Sequence, residues 1–139
     1  MIRVFAAVAC LPILMAAGAD DTKADPEAQI GTWRMVAVVV DGKDTPVSPA
    51  TLMVVTREGW TVTINGNPYA KGTTKADRTT SPVQSEVSYL EGALAGKTLQ
   101  QISRIDGDIM YACAGATRPG EFKSKAGSAH TLSVWIRVK

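Results

Sequence analysis

The sequence predicts an all-β domain, antiparallel, of about eight short strands closed into an up-and-down barrel or layered as a sandwich. Three observations predict it. After Gly31 the chain is a series of short runs rich in β-branched residues, the side chains that pack well on a pleated surface. The runs are separated by strong turn dipeptides, Asp41-Gly42, Asn65-Gly66 and Asp106-Gly107. They follow one another at roughly 8–12-residue spacing, the rhythm of a sandwich or barrel, and nothing reads as a βαβ unit.

The runs can be taken in order. Thr32 to Val40, TWRMVAVVV, stops at Asp41-Gly42-Lys43. Thr51 to Arg57 follows TPVSP, whose prolines forbid strand continuation. Trp60 to Ile64, WTVTI, alternates apolar and hydroxyl residues, one buried face and one wet face. Asn65-Gly66 turns the chain into a weaker strand from Tyr69 to Thr74. Thr98 to Ile105 and Ile109 to Ala114 form a hairpin around Asp106-Gly107. His130 to Val138 is the last strand.

The segment from Ser81 to Lys97 reads two ways. Ser81, Pro82 and Gln84 make a helix start, and Val83, Val87, Leu90 and Leu94 would share a helical face. Val83, Ser85, Val87 and Tyr89 also alternate as a strand does.

The first nineteen residues stand apart. MIRVFAAVACLPILMAAGA has one early charge, Arg3, an apolar stretch from Val4 to Met15 and a small-residue end at Ala17-Gly18-Ala19. That is the pattern of a cleaved secretory signal peptide, too short for a comfortable membrane span. Residues 20–29, DDTKADPEAQ, read as a flexible polar leader, which leaves 30–139 as one domain. An exported, periplasmic or extracellular protein is expected, with no membrane span after cleavage.

Loss of Arg3 leaves fourteen basic against thirteen acidic side chains, a net charge of +1. No basic stripe appears, so no nucleic-acid partner is expected. Cys113 is the only cysteine beyond residue 19, so no intrachain disulfide is expected and stability falls to the core. A bridged dimer through Cys113 is less favoured than a small buried thiol, and the domain is expected to be a monomer.

Chemistry is sparse. His130 is the only histidine and sits in the polar loop SKAGSAH. One histidine and one distant cysteine make no zinc site, and no phosphate-cradling glycine loop is present, so neither metal nor cofactor is expected. Cys113 with His130 could in principle serve as nucleophile and base in a hydrolase, but no orienting partner is suggested. Arg118 and Glu121, in RPGEF, could pair beneath Phe122. Arg118 would then anchor a ligand carboxylate, or else act with Pro119 as a loop clamp that satisfies carbonyls while Phe122 plugs the barrel.

At Gly31-Thr32-Trp33 the text becomes recognisable, because Gly-x-Trp opens the first strand of lipocalins. Gly31 to Lys43, Gly96 to Leu99, Arg104 to Cys113 and Arg118 to Lys139 together resemble a family of small secreted bacterial domains of planctomycete type, lipocalin-like and of unknown function. Arg-Pro-x-Glu-Phe-x-Ser, from Arg118 to Ser124, is the most specific element. The resemblance implies an up-and-down lipocalin-like barrel, and hence a strand from Ser81 to Leu90. It also implies that Arg137 packs across Trp33 at the closed end. That placement conflicts with composition: Leu132, Val134 and Ile136 form the more apolar face of the last strand, opposite Ser133, Trp135 and Arg137.

The barrel reading places Trp33, Met35, Ala37 and Val39 on the inner face of the first strand, and Met110, Ala112 and Ala114 on that of another. Trp33, Met35, Met110, Ala112, Arg118 and Phe122 are the candidate ligand contacts; Gly31, Trp33, Arg118, Pro119, Glu121 and Arg137 are the candidate structural motif. A barrel of eight strands is just wide enough to be filled by side chains or to hold one small ligand. Trp33, Trp60 and Trp135 with short strands weigh toward filled. Binding of a small apolar or amphipathic molecule predicts a cavity of at least a few hundred cubic ångströms. A protein-interaction module of the envelope predicts a solid core and a contiguous exposed apolar patch.

Overall fold

The structure, a computed structural model, describes residues 27–139; the signal-peptide segment and leader residues 20–26 lie outside the described residues. Among the described residues nine strands form one antiparallel sheet. They are β1 (Gly31–Val40), β2 (Lys43–Thr45), β3 (Thr51–Val55), β4 (Trp60–Ile64), β5 (Asn67–Asp77), β6 (Val83–Glu91), β7 (Thr98–Asp106), β8 (Ile109–Gly115) and β9 (Thr131–Arg137). β1 and β3 to β9 pair in order, and β1 pairs β9, which closes an eight-stranded up-and-down barrel. The three-residue β2 only extends the mouth side of β1. Closure leaves the barrel strands no free edge.

The ambiguous segment is a strand. β6 pairs β5 and β7 along its length, so its period-two alternation outweighs the helix start. Ser81-Pro82, read as a possible cap, is a cis peptide in the turn before β6.

The barrel has a base, where β1 begins, and a mouth, where it ends. Arg137 closes the base. Its guanidinium lies 4.2 Å from the centre of the Trp33 ring. Its two terminal nitrogens donate to the carbonyls of Ile30 at 3.0 Å and Ala28 at 2.6 Å, and Asp108 lies 3.6 Å from Nε. The Trp33 indole donates to the Gln29 carbonyl at 2.9 Å. Thus Glu27 to Gln29, the described end of the leader segment, forms a turn fastened to the barrel. Gly31 is obligatory here: φ is +135° and an added Cβ would sit 3.0 Å from an Arg137 nitrogen.

The inner face of β1 differs from its alternating pattern. Against β9 the register slips between Met35 and Ala37, a β-bulge that inverts the facing of everything beyond it. Val38 and Val40, not Ala37 and Val39, therefore line the interior. The more apolar face of β9 is the outer one: Thr131, Ser133 and Trp135 line the interior and Arg137 continues their row over Trp33. Leu132, Val134 and Ile136 remain only partly exposed; the long β8–β9 connection, residues 116–130, straps the outside over Cys113 and Tyr111, the β8 partners of Leu132 and Val134.

That strap also buries Ile102 (3% exposed) and Cys113 (0%), cross-strand partners on the outer face. The Cys113 thiol donates to the Lys123 carbonyl at 3.5 Å. Phe122 packs edge-on to Tyr111 at 6.3 Å, with the Arg104 guanidinium over both rings. Ser124 Oγ accepts from the Gly42 amide and donates to the His130 carbonyl, and the Ala129 amide donates to Asp41.

Candidate functional site

The interior is not filled. A cavity of about 640 Å³ runs from the mouth towards the base, within the range of about 300–1,000 Å³ usual for small-molecule sites. The expectation that three tryptophans fill the barrel fails for a positional reason. Trp33 is the third residue of β1, Trp60 the first of β4 and Trp135 the third from last of β9, so all three lie towards the base. Trp33, Met110 and Trp135 form the buried cluster there. Further up, the wall is small or slender: Ala70, Ala112, Ala114, Thr51, Thr131 and Ser133 all line the cavity.

Trp60 and Tyr89 shape one side. Their rings meet edge to face at 5.0 Å. Gly72, paired with both, gives the indole its seat: a Cβ there would lie 2.6 Å from the Trp60 ring and 2.1 Å from the Ser88 carbonyl. Burial pushes the Tyr89 phenol up, with Tyr69 adding to the shift. At the mouth, Val40, Val47, Tyr69 and Leu94 ring the opening. Register slips at Tyr69 and Leu90 leave these two side chains 58% and 57% exposed.

The polar groups of the wall are hydroxyls, amides and indoles. Gln101 Nε2 donates to Ser85 Oγ at 3.3 Å, and Trp135 Nε1 to Ser133 Oγ at 2.9 Å. Among the described residues, no Asp, Glu, Lys, Arg or His lines the cavity.

Of the expected ligand contacts, Met35, Met110 and Ala112 line the cavity. Trp33 lies beneath it, 0% exposed, in the base cluster. Arg118 and Phe122 are outside the barrel. Arg118 donates to the carbonyls of Ser85 (3.1 Å) and Gln101 (2.6 Å) and to the Gln100 side chain, which makes it the clamp that joins the strap to β6 and β7. Glu121 pairs with Lys125 at 3.2 Å and Lys123 at 3.9 Å, not with Arg118. Phe122 covers Tyr111 and does not plug the barrel. Trp60, Tyr89, Leu99 and Gln101 are wall residues absent from the expected set; the alternation Val83, Ser85, Val87, Tyr89 could have indicated Tyr89.

The other candidate chemistry is dispersed. The His130 ring nitrogen lies 3.3 Å from the Thr117 hydroxyl, while the Cys113 thiol is occupied by Lys123 and pushed up by burial. No group of three metal-ligating side chains is found among the described residues. Among the described residues, the large exposed apolar side chains Val36, Val40, Val54, Tyr69, Leu90 and Val138 are spread over β1, β3, β5, β6 and the C-terminal residues.

Comparison with protein-family models, with curated proteins and with solved structures finds no match to this chain.

Proposed function

We propose that the chain is an exported, monomeric, lipocalin-like carrier that binds a small apolar or amphipathic molecule inside its barrel. The observation that carries this reading is the cavity of about 640 Å³, walled mainly by aliphatic, aromatic and hydroxyl side chains and ringed at its mouth by apolar ones. Export follows from the signal-peptide pattern of residues 1–19.

A fluorescent apolar probe, uncharged N-phenyl-1-naphthylamine, tests it. The uncharged probe should bind with one-to-one stoichiometry. Ala112→Phe, which fills the cavity from the wall, should weaken that binding roughly tenfold or more, since overpacking costs about 1–3 kcal/mol. An unchanged circular dichroism spectrum would show that the barrel is intact. A probe that binds wild type and variant equally would place it on the surface and count against the reading.

A further inference from the structure

We infer that the molecule held in the barrel is uncharged, and that its buried polar group is a hydrogen-bond acceptor of the ketone, aldehyde or ester type, accepting a hydrogen bond from the Trp60 indole N–H. This inference rests on the carrier reading above.

The chain has three indole N–H groups. Two are satisfied within the protein: Trp33 donates to the Gln29 carbonyl and Trp135 to Ser133 Oγ, both at 2.9 Å. The third is not. Trp60 is 8% exposed, stands in the cavity wall, and its Nε1 is buried without an acceptor among the described residues. An indole nitrogen can only donate. A buried donor left unmatched is costly, so one carried by a ring of the cavity wall asks for an acceptor. The ring is held, with Gly72 beneath it and the Tyr89 edge against it.

Charge excludes the commonest amphiphiles from this interior. Among the described residues, the wall holds no cationic side chain for a carboxylate and no anionic one for an amine. Arg118, the guanidinium that could have met a carboxylate, is spent on three acceptors outside the barrel. An ion drawn inside would shed its hydration with no opposite charge in return. A carbonyl needs one donor, and Trp60 offers one.

The test uses the purified protein labelled with nitrogen-15 and three probes of equal chain length: 2-octanone, octane and octanoate. The ketone should move the Trp60 indole proton signal downfield, while octane, supplied as a saturated solution, perturbs the cavity signals without that shift. Octanoate at pH 8 should bind at least tenfold more weakly than the ketone, by roughly the penalty of an unpaired buried charge. Trp60→Phe, which removes the donor, should weaken ketone binding roughly two- to tenfold, the range of one net hydrogen bond. If that variant does not fold, the wild-type indole signal decides alone. A bound ketone that leaves the Trp60 signal unmoved, or octanoate binding as tightly as the ketone, overturns this inference but not the carrier. If neither 2-octanone nor octane perturbs any cavity signal, the carrier reading fails and this inference with it.

Discussion

Arg137 shows how one side chain can finish a barrel. Its flat face covers Trp33 while its edge donates to two carbonyls of the turn before β1. Arg137→Ala should therefore cost about 2–4 kcal/mol, from charge-assisted hydrogen bonds and the ring contact together, read as a lowered urea midpoint. Arg137→Lys should recover little of it, because an ammonium has no planar fork to lie on a ring and reach two carbonyls at once. Gly31→Ala should cost about 1–3 kcal/mol through its left-handed backbone. The two losses should add to less than their sum, since the added methyl presses on the guanidinium that Arg137→Ala removes. Arg137 was legible only through the Gly-x-Trp resemblance. Composition favoured the opposite face of β9, since the outer row Leu132, Val134 and Ile136 looks like a core. It fails because the strap lies on the same outer side, over Cys113 and Tyr111 of β8, and a covering loop leaves no periodic mark in sequence.

Among the elements, the strap of residues 116–130 is the departure from a plain meander. Its clamp, Arg118, crosses to β6 and β7. Arg118→Ala should lower stability by about 1–3 kcal/mol yet leave the affinity for an apolar probe within twofold, which separates a clamp from a ligand anchor. Cys113 reports on the same strap. Burial raises its pKa, so the folded state holds the thiol proton more tightly than the unfolded chain. That stabilisation is present below the ordinary thiol value of roughly 8.5 and is lost as pH rises through the folded value. The urea midpoint should fall from pH 8 to pH 10, by less in Cys113→Ala; Tyr89, whose pKa is also raised, adds its own loss only above about pH 10. The strands themselves were legible, because turn dipeptides and period-two alternation are local signals. The bulge at Val36 was not. TWRMVAVVV is apolar on both faces beyond Met35, so nothing in it marks where the facing inverts.

At the scale of the molecule, the barrel was legible and the cavity was not. Strand count comes from turns, but free volume depends on the height at which each side chain enters. Three tryptophans spread evenly would have filled the interior; gathered towards the base, they floor it and leave the alanines and hydroxyls above them unopposed. Gly72→Ala should show how finely this is set. The methyl would meet the Ser88 carbonyl as well as the Trp60 ring, so the thermal midpoint should fall and the Trp60 emission should shift.

The described chain starts and finishes on one side of the molecule: Glu27 to Ile30 and Arg137 to Lys139 both lie at the base, with Lys139 held 2.7 Å from Asp108. The molecule is thus a cup with both handles underneath. Tethered beyond Lys139 to a chip, a lipid or a neighbouring domain, it would turn its opening outward, and a protein immobilised through a tag there should load as fast as one free in solution.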